Sequence, residues 1–327
     1  MGIFRLDLIQ KIHLFFLTFS LINYSEVDAC SRILSNKDPD RIACARSLDW
    51  HEPMGEELRV FPRKTNRDGT TTYASLCIVA KNYDNAYLEG INEKGFAAHL
   101  LYMEDTIYEK RDISRPSVSY AEWVRYYVDL CSSVQNALDL ARFVQITPIM
   151  IQKKIYPVHL AIEDASGDSA ILEFIDGKLV IHHGREFTVL TNEPMYTKQL
   201  ENLGKYLPFE GSCVPSGIEP KDRFVRAHYY LQHVSVSKND PIPSMFYLIA
   251  LVSVPWQFRN EDSTLWTSVM DLSRKKYYFR SIRADSNFYI DMNILELSKN
   301  KFILSLDPNF PGLYGDVSTA LRPIENF

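Results

Sequence analysis

Cys30 is followed sixteen and nineteen residues later by Arg46 and Asp49, and it is preceded by a segment that reads as an export signal. Arg5 and Lys11 give that segment a basic start, beside an acidic Asp7. Residues 12–22 are apolar except for His13, Thr18 and Ser20, and a polar stretch then leads to Asp28-Ala29. A basic start, a short apolar middle and a small last residue describe a secretory signal peptide over residues 1–29. The apolar run is short for a membrane span. Val27 and Ala29 stand at positions −3 and −1 of a cut before Cys30. Such a cut leaves a thiol and a free α-amino group on one residue. Their unperturbed pKa values are about 8.5 and about 7.7–8.0, so the neutral amine is populated near pH 7. It takes the thiol proton without help from a histidine. A nearby arginine favours the thiolate. A carboxylate holds the amine in position, and preorganised N–H donors receive the tetrahedral oxyanion. Two other readings of Cys30 stay open. One is a lipid anchor, although a lipoprotein signal wants a small uncharged residue where Asp28 stands. The other is a buried cysteine in an uncleaved chain.

This chemistry needs elements that bring distant residues to one place. Cys30–Ile33 alternates like a strand, Lys37-Asp38-Pro39-Asp40 is a turn signal, and Ile42–Trp50 is the returning strand. The hairpin carries Arg46 and Asp49 back towards Cys30. Their odd three-residue offset puts them on opposite faces of a regular strand. If both address Cys30, the strand must end or twist between them.

Cys30, Arg46 and Leu48-Asp49-Trp50 together resemble the choloylglycine hydrolase / penicillin V acylase family, cysteine N-terminal-nucleophile amidohydrolases, in its exported Gram-negative form. Three further segments agree in order and spacing. Gly90-Ile91-Asn92-Glu93-Lys94-Gly95-Phe96 resembles the family's Asn-Glu-x-Gly turn. Val189-Leu190-Thr191-Asn192-Glu193-Pro194 resembles its Leu-Thr-Asn-x-Pro motif, and Asp222-Arg223-Phe224-Val225-Arg226 its Ser-Arg-Phe-x-Arg helix start. The resemblance implies that Cys30 is the nucleophile and its freed amine the general base. It implies that Asp49 holds the amine and thiol in register, and that Arg46 and Arg223 lie beside the sulfur. The Asn192 side chain and the Tyr102 backbone N–H are the implied oxyanion hole, with Trp50 walling the acyl pocket. Family members that cleave bile salts usually have Asn where Tyr102 aligns, and those that cleave penicillin V usually have Tyr. Tyr102 therefore implies an acylase releasing a phenylacetyl-like or fatty acyl group from penicillin V or N-acyl homoserine lactones. A bile salt hydrolase and a lipid-anchored envelope binding protein are the alternatives. The resemblance also implies a periplasmic or secreted homo-oligomer, a tetramer among its forms. Only 30 residues separate Asn192 from Arg223, too few for the long assembly hairpin of the bile-salt enzymes.

The rest of the chain suits a single enzyme domain over residues 30–327. Of its 327 residues, 46% are hydrophobic and 24% charged, which excludes a disordered, collagen-like or coiled-coil protein. A net charge of −5 supplies no basic excess for nucleic acid. Five cysteines are too few for a disulfide scaffold; Cys44, Cys77 and Cys131 lie in apolar contexts and Cys213 in a loop. The eight histidines show no metal-ligand spacing, and no phosphate loop or Gly-x-Ser-x-Gly elbow occurs, so neither metal nor cofactor is expected. Strand patterns fall at 58–62, 73–81, 84–88, 96–102, 159–162, 170–174, 178–182, 264–271 and 276–280, with another near Ile303. Helical patterns fall at 119–130, 134–143, 223–232 and 242–252. This order suits an α+β fold: two antiparallel sheets face to face between helix layers, the αββα Ntn-hydrolase sandwich that the resemblance also implies.

Overall fold

The computed structural model describes residues 29–65, 70–210, 213–237, 239–255, 263–297 and 302–324. The export signal expected before Cys30 therefore lies outside the described residues, apart from Ala29. Two large sheets form the centre. The first has seven strands, in the order Val189–Leu190, β1 (Ala29–Ser35), β2 (Ala43–Trp50), Ser263–Asp271, Lys276–Ser281, Asn287–Asp291 and Tyr314–Asp316. All its pairs are antiparallel except the last, which is parallel. The second has nine antiparallel strands and runs from Lys178–His183 through Val158–Glu163, Ala97–Tyr102 and Ala86–Asn92 to Arg322–Pro323.

Helices Pro220–His233 and Ile242–Ala250 cover the outer face of β1 and β2, while helix Trp123–Leu130 covers Ala86–Asn92 and Ala97–Tyr102. The inner faces meet where β1 packs on Ala97–Tyr102. This is the expected four-layer α+β sandwich. Its centre explains why β2 shows no alternation of exposure. Every one of its eight residues is buried, because both faces are covered.

The Asn92–Gly95 turn is held by its own chemistry. Asn92 Nδ2 donates to the carbonyls of Val128 and Cys131, at 2.8 and 2.7 Å, satisfying the end of the helix packed above it. Gly95 has φ +79°, and a Cβ there would meet the Leu272 carbonyl oxygen at 2.4 Å.

Some local expectations shift. Residues 117–119 form a short strand, and the α-helix starts only at Trp123, after a 3₁₀ turn at Tyr120–Glu122. The next helix begins as expected, with Ser133 Oγ accepting from Asn136 N at 3.2 Å, but it ends at Ala141. Helix Tyr196–Gly204 was not anticipated. Its buried face is Tyr196, Gln199 and Leu203, so a glutamine interrupts the apolar stripe that periodicity relies on. Gln199 is buried for a purpose: Nε2 donates to Asn192 O at 2.6 Å and to Pro194 O at 2.9 Å.

A polar layer crosses the space between the sheets. Arg32 and Arg46 are directly opposite in the β1–β2 ladder, an arrangement of like charges that costs free energy unless countered. The facing sheet supplies the counter-charges. Arg32 Nε and Nη2 donate to Glu163, and Arg46 Nη1 lies 3.6 Å from Glu89 Oε2. Burial pushes the Glu163 carboxyl up, but Arg32 and His99 more than offset this and hold it at about 2. Glu163→Gln strands the Arg32 charge, so unfolding in urea should show a loss of about 3–5 kcal/mol with an unchanged slope. The sign with pH follows from a folded value below the ordinary 4.5. Stability from Glu163 is complete above 4.5 and is lost as pH falls towards about 2, and Glu163→Gln should lack that loss.

Candidate active site

β1 and β2 decide what faces Cys30. Cys30 pairs with Leu48, and residues opposite each other in a ladder share a face. The Cys30 side chain therefore points between the sheets, with Arg46, Leu48 and Trp50. Arg46 Nη2 is 3.9 Å from Cys30 Sγ. The guanidinium is clamped by the carbonyls of Leu88 and Leu100, the latter at 2.6 Å. These carbonyls are available because pairing between the two strands stops at Glu89–His99, and Arg46 occupies the gap. Trp266 lies under it, 5.4 Å from ring centroid to guanidinium carbon. Burial, with the Asp49 charge, holds the Cys30 thiol above its ordinary value, and the Arg46 charge and the Asp49 backbone N–H offset only part of this.

Asp49 occupies the other face of β2. Its Oδ1 accepts from Thr264 Oγ1 at 2.5 Å and its Oδ2 from Ser47 Oγ at 3.3 Å, with Arg223 Nη1 3.7 Å away. Burial pushes Asp49 up to about 6, against the pull of Arg223 and Thr264. β2 does not end between Arg46 and Asp49. The irregularity falls on its neighbour, where Thr264 opposes Asp49 and Trp266 opposes Leu48, leaving Leu265 as a bulge. Arg46 thus serves the sulfur of Cys30, while the Asp49 carboxylate lies on the other face of the sheet, beside Arg223.

Arg223 differs from the expectation that it lies beside the sulfur. It comes from the helix layer and meets the main-chain side. Nη1 donates to Cys30 O at 2.8 Å and to Ser31 Oγ, Nη2 to Asn192 Oδ1 at 2.9 Å, and Nε to Ile218 O. Arg226, one turn on, binds the carbonyls of Pro215, Gly217 and Leu251 and stays away from Cys30.

Asn192 links the two sheets. Its Oδ1 accepts from Cys30 N at 2.5 Å, and its Nδ2 donates to Tyr102 O at 2.8 Å. One Nδ2 hydrogen is used there, leaving the second to aim elsewhere. Val158, opposite Tyr102, bonds Tyr108 Oη through its N–H and Thr106 Oγ1 through its carbonyl. Tyr102 therefore turns its N–H and carbonyl to the other edge of its strand, the edge on which Asn192 sits.

An apolar slot of about 50 Å³ opens at Cys30. Trp50, Tyr83, Tyr102 and Tyr156 wall it; Trp50 is edge-on to Tyr102 at 6.1 Å, and Trp50 Nε1 donates to Tyr83 Oη at 2.8 Å. Of the seven residues singled out from the sequence, Cys30, Arg46, Trp50 and Tyr102 line this slot, Asn192 and Arg223 bond the Cys30 main chain, and Asp49 pairs with Arg223 on the other face of the sheet. Thr264, Gln199, Glu89 and the tyrosines 83 and 156 were missed. None carries a local motif, and each reaches the site through a long-range contact. Cys44 Sγ, His99 Nε2 and a Glu163 oxygen lie within 4.8 Å of one another, a donor set able to bind metal. Here Arg32 and His99 already bond the two Glu163 oxygens. All five cysteines are free.

The chain is 32% identical over 346 aligned residues to the penicillin V acylase of Pectobacterium atrosepticum, covering 91% of each protein. It is 24% identical to a bile salt hydrolase/transferase of Clostridium perfringens, over 78% of this chain and 90% of that one. The structure of penicillin V acylase from Agrobacterium tumefaciens superposes with a TM-score of 0.80 at 33% identity, over 91% of this chain and 98% of that one. Conjugated bile acid hydrolase from Clostridium perfringens shares the fold, at 21% identity and a TM-score of 0.73. The family model for linear amide C–N hydrolases, choloylglycine hydrolase family, matches residues 30–305, and to that family of hydrolases this chain belongs.

Proposed function

We propose that this hydrolase is exported, loses residues 1–29, and uses the freed Cys30 to cleave amides of the penicillin V or N-acyl homoserine lactone type. The observation that carries the reading is the double approach to Cys30: Arg46 at the sulfur, 3.9 Å away, and Asn192 at the nitrogen, 2.5 Å away. The thiolate attacks the amide carbon, and the carbonyl electrons move to oxygen. That oxyanion is received by Asn192 Nδ2 and the Tyr102 N–H. The C–N bond breaks as the α-ammonium protonates the leaving nitrogen. Water then gives a proton to the same amine and attacks the thioester, and the C–S bond breaks to restore the thiolate. Asp49 steadies the amine, and Arg223 holds the Cys30 carbonyl and Asn192 in register. No cofactor enters these steps.

The narrow aromatic slot favours a flat aryl or a thin alkyl acyl group. A rigid steroid nucleus would have to force the rings of Trp50, Tyr83, Tyr102 and Tyr156 apart. The mature protein should therefore hydrolyse penicillin V or a long-chain acyl homoserine lactone with kcat/KM at least about tenfold above that for taurocholate. A preference for taurocholate reverses the substrate assignment. Mass spectrometry of the mature protein should give a chain starting at unmodified Cys30. A diacylglyceryl addition would instead identify a lipid-anchored protein without a free thiol.

A further inference from the structure

Behind Arg46 lies a run of buried ionisable groups that the proposed steps do not use. Glu89 Oε2 is 3.6 Å from Arg46 Nη1 and 3.0 Å from His99 Nδ1, and Tyr277 Oη donates to Glu89 Oε1 at 2.7 Å. On the other side of the ring, His99 Nε2 lies 2.8 Å from Glu163 Oε1 and 3.4 Å from Cys44 Sγ. Arg32 closes the run on Glu163 Oε2. His99 is thus faced by Glu89 and Glu163 from its two neighbouring strands. From the opposite sheet it meets Cys44, with Arg32, Arg46 and Tyr277 bonded to or beside those carboxylates.

An ionised carboxylate accepts hydrogen bonds and donates none. With a carboxylate on each ring nitrogen, His99 must donate from both, which makes it an imidazolium. Burial works against its charge, but Glu163 and Glu89 prevail and raise its pKa. The run then holds three cations, Arg32, His99 and Arg46, against two carboxylates, Glu89 and Glu163. On the other face of the sheet, Asp49 is paired with Arg223, and its charge opposes that of Arg46 at the sulfur. Among the described residues, one positive charge is left over in the run, and its Arg46 end is at the Cys30 sulfur.

Resting on the reading of Cys30 as the nucleophile, we propose that His99 is a positioning residue: it braces Glu89 against Arg46 and supplies the surplus charge that makes this buried run the counter-ion of the Cys30 thiolate. Arg46 alone would be neutralised by Glu89. With His99 shared between Glu89 and Glu163, the field at the sulfur stays positive.

The test reads the thiol itself, in the mature protein carrying Cys213→Ser to remove the exposed thiol. The rate of iodoacetamide alkylation of Cys30 is followed against pH by mass spectrometry of the N-terminal peptide. His99→Gln removes a cation and should move the alkylation limb up by about one pH unit, an approximately tenfold slower reaction near pH 7. Glu89→Gln removes an anion and should move the limb down. A purely structural role lowers stability in both variants without producing opposite shifts. Shifts in the same direction, or none, overturn the proposal. If His99→Gln does not fold, ¹⁵N NMR of the histidine-labelled parent decides: one ring should keep both protons above about pH 8, and its absence rejects the imidazolium. Failure of the nucleophile reading has a separate signature, since Cys30→Ala would then still hydrolyse amides, and that result removes this inference as well.

Discussion

Cys30→Ala should abolish amide hydrolysis, with kcat falling by about 10⁴- to 10⁶-fold. The expected size comes from Cys30 being the one thiol among the described residues that line the proposed acyl slot. Asp49 is held on the other face of β2 by Thr264, Ser47 and Arg223. The nearest other cysteine in the chain, Cys44, is buried against His99, and its thiol is raised by burial and by Glu163. The fold should survive, because the bonds at Cys30 N and Cys30 O come from the main chain. Cys30→Ser is the sharper variant. It keeps a nucleophilic atom in place but makes it a hydroxyl, far less acidic than a thiol, so the Arg46 field cannot hold it as an anion near neutral pH. Single-turnover hydrolysis of penicillin V, compared with thermal unfolding of the same samples, makes the measurement. Activity within tenfold of the parent in either variant would refute the nucleophile assignment.

Asn192→Ala should lower kcat by about a hundred- to a thousandfold, equivalent to about 2.7–4 kcal/mol in the barrier, with KM much less affected. A donor that meets only the oxyanion works in the transition state and not in substrate binding. Asn192 also has an acceptor role, since its Oδ1 takes the Cys30 N–H and Arg223 Nη2. Asn192→Asp separates the two. An aspartate keeps the acceptor oxygens for Cys30 and Arg223 but donates nothing. It should therefore be as slow as Asn192→Ala, and it also loses stability, because a carboxylate oxygen now faces the Tyr102 carbonyl. If Asn192→Asp retains more than a tenth of the parental kcat, the oxyanion is received elsewhere.

Much of this site was legible along the chain. The turn at Lys37–Asp40 joins two strands that pair as expected, so Arg46 returns to Cys30 by local geometry alone. The offset between Arg46 and Asp49 correctly forbids both from lying on one face. Its resolution was not legible. The sequence leaves the choice between ending β2 and twisting it, whereas the structure runs β2 unbroken through Trp50 and bulges Leu265 in the neighbouring strand. Arg223 was placed at the sulfur and is found at the carbonyl, because a helix motif carries no information about which face of the sheet the helix covers. Helix Tyr196–Gly204 escaped notice because its inward glutamine serves Asn192 and Pro194 instead of the apolar core.

By itself the sequence determined the family, most of the strands and helices, and the seven residues found at or around Cys30, since these depend on residue type, alternation and short spacing. Only the tertiary structure decided which atoms of Cys30 each charge addresses, where a ladder opens to admit Arg46, and that Glu89, His99 and Glu163 line up behind it. Those outcomes depend on the register between strands far apart in the chain and on how two inner faces meet. No local pattern encodes that meeting, and it is where charge in a dry interior acts most strongly.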